Sequence, residues 1–351
     1  MPIANLPLKK PSSAPSSSAP SSSPPQSSDI SIPEEYTHLP DRYGISLQTL
    51  AHVLKLREAP SERDILASAS SSHQLQVCVM YADERSCFRG INSSGNIRWP
   101  VPAGSPSASW EKVYLLTQMQ LTGSGEWGNL GKNRRKELMN QKKDVFSRLN
   151  KVVRCVIDLM GLRKDAEGLG NGLTVLRALE AGVWEEEGRE LLQVDGIGKK
   201  LGEKLVGRGV STMKQLAAVD SGHLDMLFGR NPPFGVGMAI RMKQFPMLAM
   251  AMTPMGRMNG SEDIGVFKVS LRYENKEVPR WKGLLIKVVF WLKVKDTNQL
   301  LWFCRDSISK LAGDGMRLVF GAKVGVGKEV VGYFSCEEIV GTMVSEEQTA
   351  L

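Results

Sequence analysis

Histidine is scarce in this chain, and none of its four copies, His38, His52, His73 and His223, has a neighbour at triad or metal-ligand spacing. That scarcity removes the commonest general base and the commonest zinc ligand from consideration. Five cysteines, Cys78, Cys87, Cys155, Cys304 and Cys336, are scattered without a Cys-x-x-Cys pair. Neither a zinc-finger spacing nor a thiol redox motif is therefore encoded, and an odd, scattered set reads as reduced thiols of the cytosol or nucleus. No run of about eighteen apolar residues occurs, so no segment reads as a membrane-spanning helix. The first residues lack the apolar core of a secretory signal.

A nucleotide-hydrolysing motor is missing too. Ala322-Lys-Val-Gly-Val-Gly-Lys-Glu comes nearest to a phosphate loop, but its leading glycine is out of register and Glu329 stands where Ser or Thr must hold magnesium. Its place between two strand-like segments makes it a loop. Asp83-Glu-Arg-Ser looks like an acidic metal box without its final histidine or a partner motif. No catalytic constellation is defensible, and no cofactor is expected in this chain. ATP and magnesium enter only if a motor is supplied.

What is present suits a folded chain with a polyanionic partner. The 351 residues are 42% hydrophobic and 23% charged, with a formal net charge of +8. That length bounds two or three compact units. Residues 1–33 form a Ser/Pro-rich leader, expected to be disordered because it cannot bury enough apolar surface to offset its ordering entropy. Residues 34–185 read as a mainly helical domain. Leu47, Leu50, Val53 and Leu54 share one helical face, and Ser61 is placed to cap a second helix. A long helix is expected from about Asn133 to Met160, its buried stripe made by Val145, Leu149, Val152, Val153, Val156 and Met160. A further helix, Leu173 to Ala181, ends at Gly182.

Residues 186–245 contain the most informative stretch. A helix ending near Val194 is expected to turn tightly through Gly196-Ile197-Gly198 into a second helix running to Val206. Such glycines let the main chain approach a ligand, and free N–H groups at a helix start attract phosphate. Lys199 and Lys200 add positive charge, and Ser211 is placed to cap the next helix. This is a helix-hairpin-helix pattern, which grips sugar-phosphate backbones without reading sequence; the bland alternative is a purely structural hairpin. A second basic cluster runs through Lys132, Arg134, Arg135, Lys136, Lys142, Lys143, Arg148, Lys151 and Arg154, offset only by Glu137 and Asp144. It fits phosphate tracking, or equally a solvated helix face.

The methionines from Met238 to Met258 read as an adaptable apolar connector. Residues 246–344 then change period. Phe267, Val269, Leu271 and Tyr273 alternate with Lys268, Ser270, Arg272 and Glu274, and strands are expected at Leu284–Val294, Leu300–Cys304, Met316–Phe320 and Val330–Phe334. The fold class is therefore α+β and multidomain: a helical accessory domain with a helix-hairpin-helix, then a small antiparallel β-sandwich of fibronectin or C-two type. Residues 345–351 are left as a tail.

One ordered series carries a family resemblance: Phe146-Ser-Arg-Leu-Asn-Lys-Val-Val-Arg-Cys-Val-Ile-Asp, Gly182-Val-Trp, Val194-Asp-Gly-Ile-Gly and Gly229-Arg-Asn-Pro-Pro-Phe-Gly. Phe88-Arg-Gly-Ile-Asn and Ile97-Arg-Trp-Pro precede it. The series resembles the Sec sixty-three accessory region of the meiotic crossover DNA helicases, the Mer three type, over about Tyr36 to Met252. That resemblance implies ATP-dependent 3′-to-5′ unwinding in meiotic recombination in the nucleus, with DNA, single-stranded or branched, and recombination proteins as partners. It implies that Arg148, Lys151 and Arg154 face single-stranded DNA while Gly196, Ile197, Gly198, Lys199 and Lys200 hold phosphates. With no motor motif present, hydrolysis and unwinding do not carry over. The chain reads as a fragment, a mis-split gene model or a motorless paralogue. From a different class, a protein-interaction scaffold with a structural hairpin remains the alternative.

Overall fold

The computed structural model describes residues 32–351 apart from 103, 105, 124–126, 128–129, 187 and 259–260. The leader expected at residues 1–33 lies almost wholly outside the described residues. Residues 32–351 form one unit by their contacts.

The first layer is helical: Leu39–Tyr43 (α1), Leu47–Val53 (α2), Glu62–Ser71 (α3), Arg85–Asn92 (α4), Ser109–Thr122 (α5), Lys132–Leu162 (α6) and Ala166–Ala181 (α7). Ser61 starts α3 as expected, accepting from the Asp64 N–H at 3.2 Å while Asp64 accepts in return from the Ser61 N–H at 3.1 Å. This reciprocal capping box satisfies two donors that a helix start leaves orphaned. In α6 the stripe from Val145 to Met160 is buried as its spacing predicts. Helix α7 starts earlier than its apolar spacing indicates because Asp165 caps it, accepting from Gly168 at 2.7 Å. Gly172 faces Ile157 so closely that a β-carbon there would come within 2.9 Å of its side chain. That glycine lets α6 and α7 pack against each other. The series ends at Gly182, whose φ of 72° is the left-handed cap expected of it.

Four short helices follow a 3-10 turn at Glu190–Gln193: Lys199–Val206 (α8), Met213–Ala218 (α9), Ser221–Phe228 (α10) and Phe234–Met242 (α11). The first arm of the expected hairpin is thus a 3-10 turn, too short for an α-helix. Thr212, not Ser211, caps α9, accepting from Gln215 at 3.2 Å.

Seven strands follow among the described residues: Leu248–Met258 (β1), Ser261–Tyr273 (β2), Lys287–Val294 (β3), Leu300–Ser307 (β4), Met316–Lys323 (β5), Glu329–Cys336 (β6) and Val344–Thr349 (β7). They form antiparallel sheets in the orders β1-β2-β5 and β4-β3-β6-β7. Two expectations are corrected. The methionine-rich segment is not wholly a connector, because Leu248–Met258 pairs with β2 through Met252↔Val269 and Met250↔Leu271. Residues 345–351 are not simply a tail, since Val344–Thr349 pairs with β6 through Val344↔Phe334 and Gln348↔Val330. The phosphate-loop decoy, as expected, is the turn between β5 and β6.

Two hydrophobic cores join these parts. Val289 and Trp291 of β3 belong with the helical layer, whereas Val288, Phe290 and Leu292 belong with the sandwich interior and the short helices. Strand β3 is therefore covered on both faces, which is why its sequence is a continuous apolar run. The turn between α6 and α7 also docks onto the β3–β4 hairpin, with Ala166 N–H donating to Asn298 O at 3.1 Å and Leu300 N–H to Lys164 O at 3.0 Å.

Candidate nucleic-acid interface

The hairpin is held from beneath. Leu191, Val194, Ile197 and Leu205 are buried in the second core. Gly202 sits on Leu192 so tightly that a β-carbon would meet its Cδ2 at 2.9 Å. Gly196 adopts φ +93°, a conformation few other residues take, and reverses the chain. Asp195 is gripped from two sides: its carbonyl accepts from Arg241 at 3.0 Å, and its carboxylate lies 3.2 Å from Lys282 Nζ.

The start of α8 differs from those of its neighbours. Asp220 caps α10, accepting from the His223 N–H at 3.0 Å, and Thr212 caps α9. At the start of α11, Asp225 Oδ1 accepts from the Gly235 N–H at 2.6 Å. Helix α8 has Gly198 at the cap position with no side-chain acceptor. The N–H groups of Leu201 and Gly202 return to the Gly198 carbonyl at 3.0 and 2.9 Å. Among the described residues, nothing accepts from those of Gly198, Lys199 and Lys200. Lys199 and Lys200 are exposed, and neither forms an ion pair among the described residues. Three unpaired donors at the exposed start of a helix, with two lysines beside them, are what an anion there requires. Ile197 plays another part: it is only 4% exposed and its N–H donates to Val194 O at 3.0 Å, so it anchors the turn.

The basic flank of α6 separates on inspection. Lys132, Lys136 and Lys143 recur on one exposed face, and no ion pair among the described residues engages them. Lys151 is also exposed. Arg148 is half-buried, its Nε 2.9 Å from Asp144 Oδ2 and its Nη1 donating to Gln74 O at 3.2 Å. Arg134 is matched by Asp83 and Glu137 and lies over the Tyr81 ring. Lys142 donates to Gln120 Oε1 at 2.8 Å, and burial lowers its pKa.

Arg154 departs from the expected DNA-facing flank. Its guanidinium lies 3.1 Å from Glu180, 3.6 Å from Glu337 and 3.5 Å from Glu338. With Glu180 and the fully buried Glu337 already beside it, its charge is matched within the protein and is not free for a phosphate. It belongs to a network that periodicity within α6 does not reveal, because most of its partners arrive from the sandwich. Arg305 of β4 extends that network, lying 3.0 Å from Asp158 and 2.6 Å from Glu337, the latter an ion pair by distance without hydrogen-bond alignment. Asp158 also accepts from the Tyr43 hydroxyl at 2.5 Å. The acidic decoy resolves similarly. Glu84 is a fully buried counterion 2.7 Å from Lys112 Nζ.

Helical layer, glycine-turned hairpin bundle and β-sandwich follow one another in that order, and comparison with known proteins assigns the arrangement to a family. The chain belongs to the Sec63 Brl domain family, whose match spans residues 33–326. It is 22% identical over 315 residues to the ATP-dependent DNA helicase MER3 of Saccharomyces cerevisiae, covering 87% of this chain and 26% of that protein. It is 20% identical over 211 residues to the ATP-dependent DNA helicase homolog MER3 of Arabidopsis thaliana, covering 58% and 18% respectively. A probable ATP-dependent DNA helicase HFM1 of Xenopus tropicalis is 22% identical over 207 residues, covering 58% and 15%. The chain thus spans about a quarter of the yeast relative's length and less of the others. The resemblance read from the sequence is borne out. No described helix is long and apolar enough to cross a membrane.

Proposed function

We propose that this chain binds DNA non-catalytically, as the accessory region of a nuclear, meiotic-recombination type of helicase whose ATP- and magnesium-dependent motor lies elsewhere. The open start of α8 is the observation that carries the reading. Gly196 and Gly198 bring the backbone to the strand, the free N–H groups of Gly198, Lys199 and Lys200 bind a phosphate, and the two lysines add long-range attraction. The exposed side of α6, with Lys132, Lys136, Lys143 and Lys151, supplies a second stretch of backbone contact, to which Arg148 contributes partially. The strand is gripped without base reading, so branched and single-stranded forms are bound irrespective of sequence.

The test is fluorescence anisotropy of the full chain on single-stranded, duplex and branched DNA across a salt series. Affinity falls steeply with salt, and Lys199→Glu/Lys200→Glu lowers it while reducing the logarithmic salt slope by about two. Absence of binding at low salt overturns the proposal and favours a protein-interaction scaffold.

A further inference from the structure

The loop from Arg280 to Lys287 lies outside the phosphate site just described. The spacing of apolar residues predicts strand from Leu284, but β3 begins only at Lys287. The three residues gained by the loop include Leu285, 93% exposed, and Leu284, 40% exposed. Single exposed leucines are commonplace on protein surfaces. This pair is distinguished by how it is held.

Both ends of the loop are fixed. Trp281 is buried, with its ring edge-to-face against Phe245 at 5.4 Å. Ile286 is buried too, and its carbonyl accepts from the Ile308 N–H at 3.0 Å. Between these anchors Lys282 and Gly283 take φ values of 51° and 69° in succession. A lysine in the left-handed region is uncommon, and such a conformation persists only where the surroundings impose it. The Leu284 N–H closes the turn onto Trp281 O at 2.9 Å. Two leucines are therefore presented to solvent from a braced turn.

Position and charge identify what they meet. Lys282 Nζ lies 3.2 Å from the carboxylate of Asp195, which immediately precedes Gly196, so the loop stands beside the phosphate-gripping hairpin. Arg280 and Lys287 flank the leucines beside the Asp195-paired Lys282, and the segment Arg280–Lys287 itself contains no acid. An apolar tip with a basic border, next to a backbone-binding turn, is complementary to a nucleobase with its own phosphates. Proteins open base steps with Leu, Ile, Met or Phe wedges of this kind.

We infer that Leu285, beside Leu284, is a wedge that enters the last base step at a junction between duplex and single-stranded DNA and unstacks its terminal pair. This rests on the DNA-binding reading of the α8 hairpin and adds the DNA structure it selects. The hairpin holds the backbone while the leucine enters the last base step and parts the terminal pair from its neighbour, which costs less at a fork than in an uninterrupted duplex.

The test uses the full chain with a forked DNA carrying 2-aminopurine at its last paired position, and a blunt duplex carrying it internally. Wild-type protein raises the fluorescence of the fork as the base unstacks and prefers fork to duplex. Leu285→Ser, at a site too exposed to disturb folding, abolishes the rise and lowers fork preference on the order of tenfold, with duplex affinity unchanged. Leu285→Met retains both properties. A serine variant that unstacks the fork as the wild type does overturns the wedge. If Lys199→Glu/Lys200→Glu binds like wild type while Leu285→Ser loses the signal, the hairpin reading falls and the wedge stands. If wild-type protein binds neither DNA, both fall.

Discussion

Arg305 of β4 and Asp158 of α6 meet at 3.0 Å across the boundary between the sandwich and the helical layer. Both are largely buried, and Arg305 also reaches the fully buried Glu337. Truncating one partner of a buried charge group leaves the others desolvated without compensation. Arg305→Ala is therefore expected to lower unfolding stability by about 3–5 kcal/mol in urea titrations, far beyond a typical surface arginine. A loss under about 1 kcal/mol would mean that the network contributes little to holding the two parts together.

Glu338 makes that boundary sensitive to pH. Burial pushes its carboxyl from the ordinary 4.5 up to about 7, with the backbone N–H of Lys287 opposing the rise. In this window the folded chain holds a proton that the unfolded chain has released. The contribution to stability is thus complete below about pH 4.5 and is lost as pH rises through about 7. Glu338→Gln keeps an acceptor and removes the charge. It should exceed the wild type in stability at pH 8 by about 1–3 kcal/mol, with the difference closing at pH 5. Chemical denaturation at the two pH values measures this, and a pH-independent difference would assign the buried proton elsewhere.

Lys112 and Glu84 form a second buried pair, at 2.7 Å and almost without solvent exposure. Lys112→Met alone is expected to destabilise the chain by about 3–5 kcal/mol, because Glu84 then stays buried and unpaired. The double change Lys112→Met/Glu84→Leu should recover most of that loss. Equal losses in single and double variants would show that packing, not charge pairing, fixes α5 against α4.

Much of the helical layer was legible because its signals are local. Ser61 and Asp64 cap one another within one turn, and the stripe from Val145 to Met160 needs only its own period. The alternation in Phe267–Tyr273 likewise announced β2. Other elements depend on distant partners. Strand β7 reads Val-Ser-Glu-Glu-Gln-Thr and becomes a strand only because β6 offers it a ladder. Arg154 follows helical spacing onto a basic flank, yet Glu337 and Glu338, more than 180 residues later, decide its fate. At the candidate site the glycines and lysines of the hairpin were readable. What no local pattern displayed was the contrast between the open start of α8 and the one on α11, which Asp225 fills.

Asp225 supplies a control for that contrast. Its carboxylate accepts from the Gly235 N–H at 2.6 Å in a buried position. Asp225→Ala should lower stability by about 1–2 kcal/mol through loss of this cap, leaving DNA affinity near wild type. Thermal unfolding and anisotropy together check it. A large loss of affinity without a loss of stability would move the anion site from α8 to the α10–α11 turn.

The most direct measurement is the DNA affinity of a Gly198→Asp variant. Gly198 has ordinary extended backbone angles, with φ −87° and ψ 173°, and a β-carbon there would meet nothing within 4 Å. An aspartate at this position can cap α8 from within, as Asp225 does for α11, and so occupy the place assigned to phosphate. The account predicts stability raised by a few tenths of a kcal/mol and DNA affinity reduced on the order of tenfold or more. Wild-type affinity in a well-folded Gly198→Asp protein would contradict it, because the start of α8 would then not be where the backbone is held.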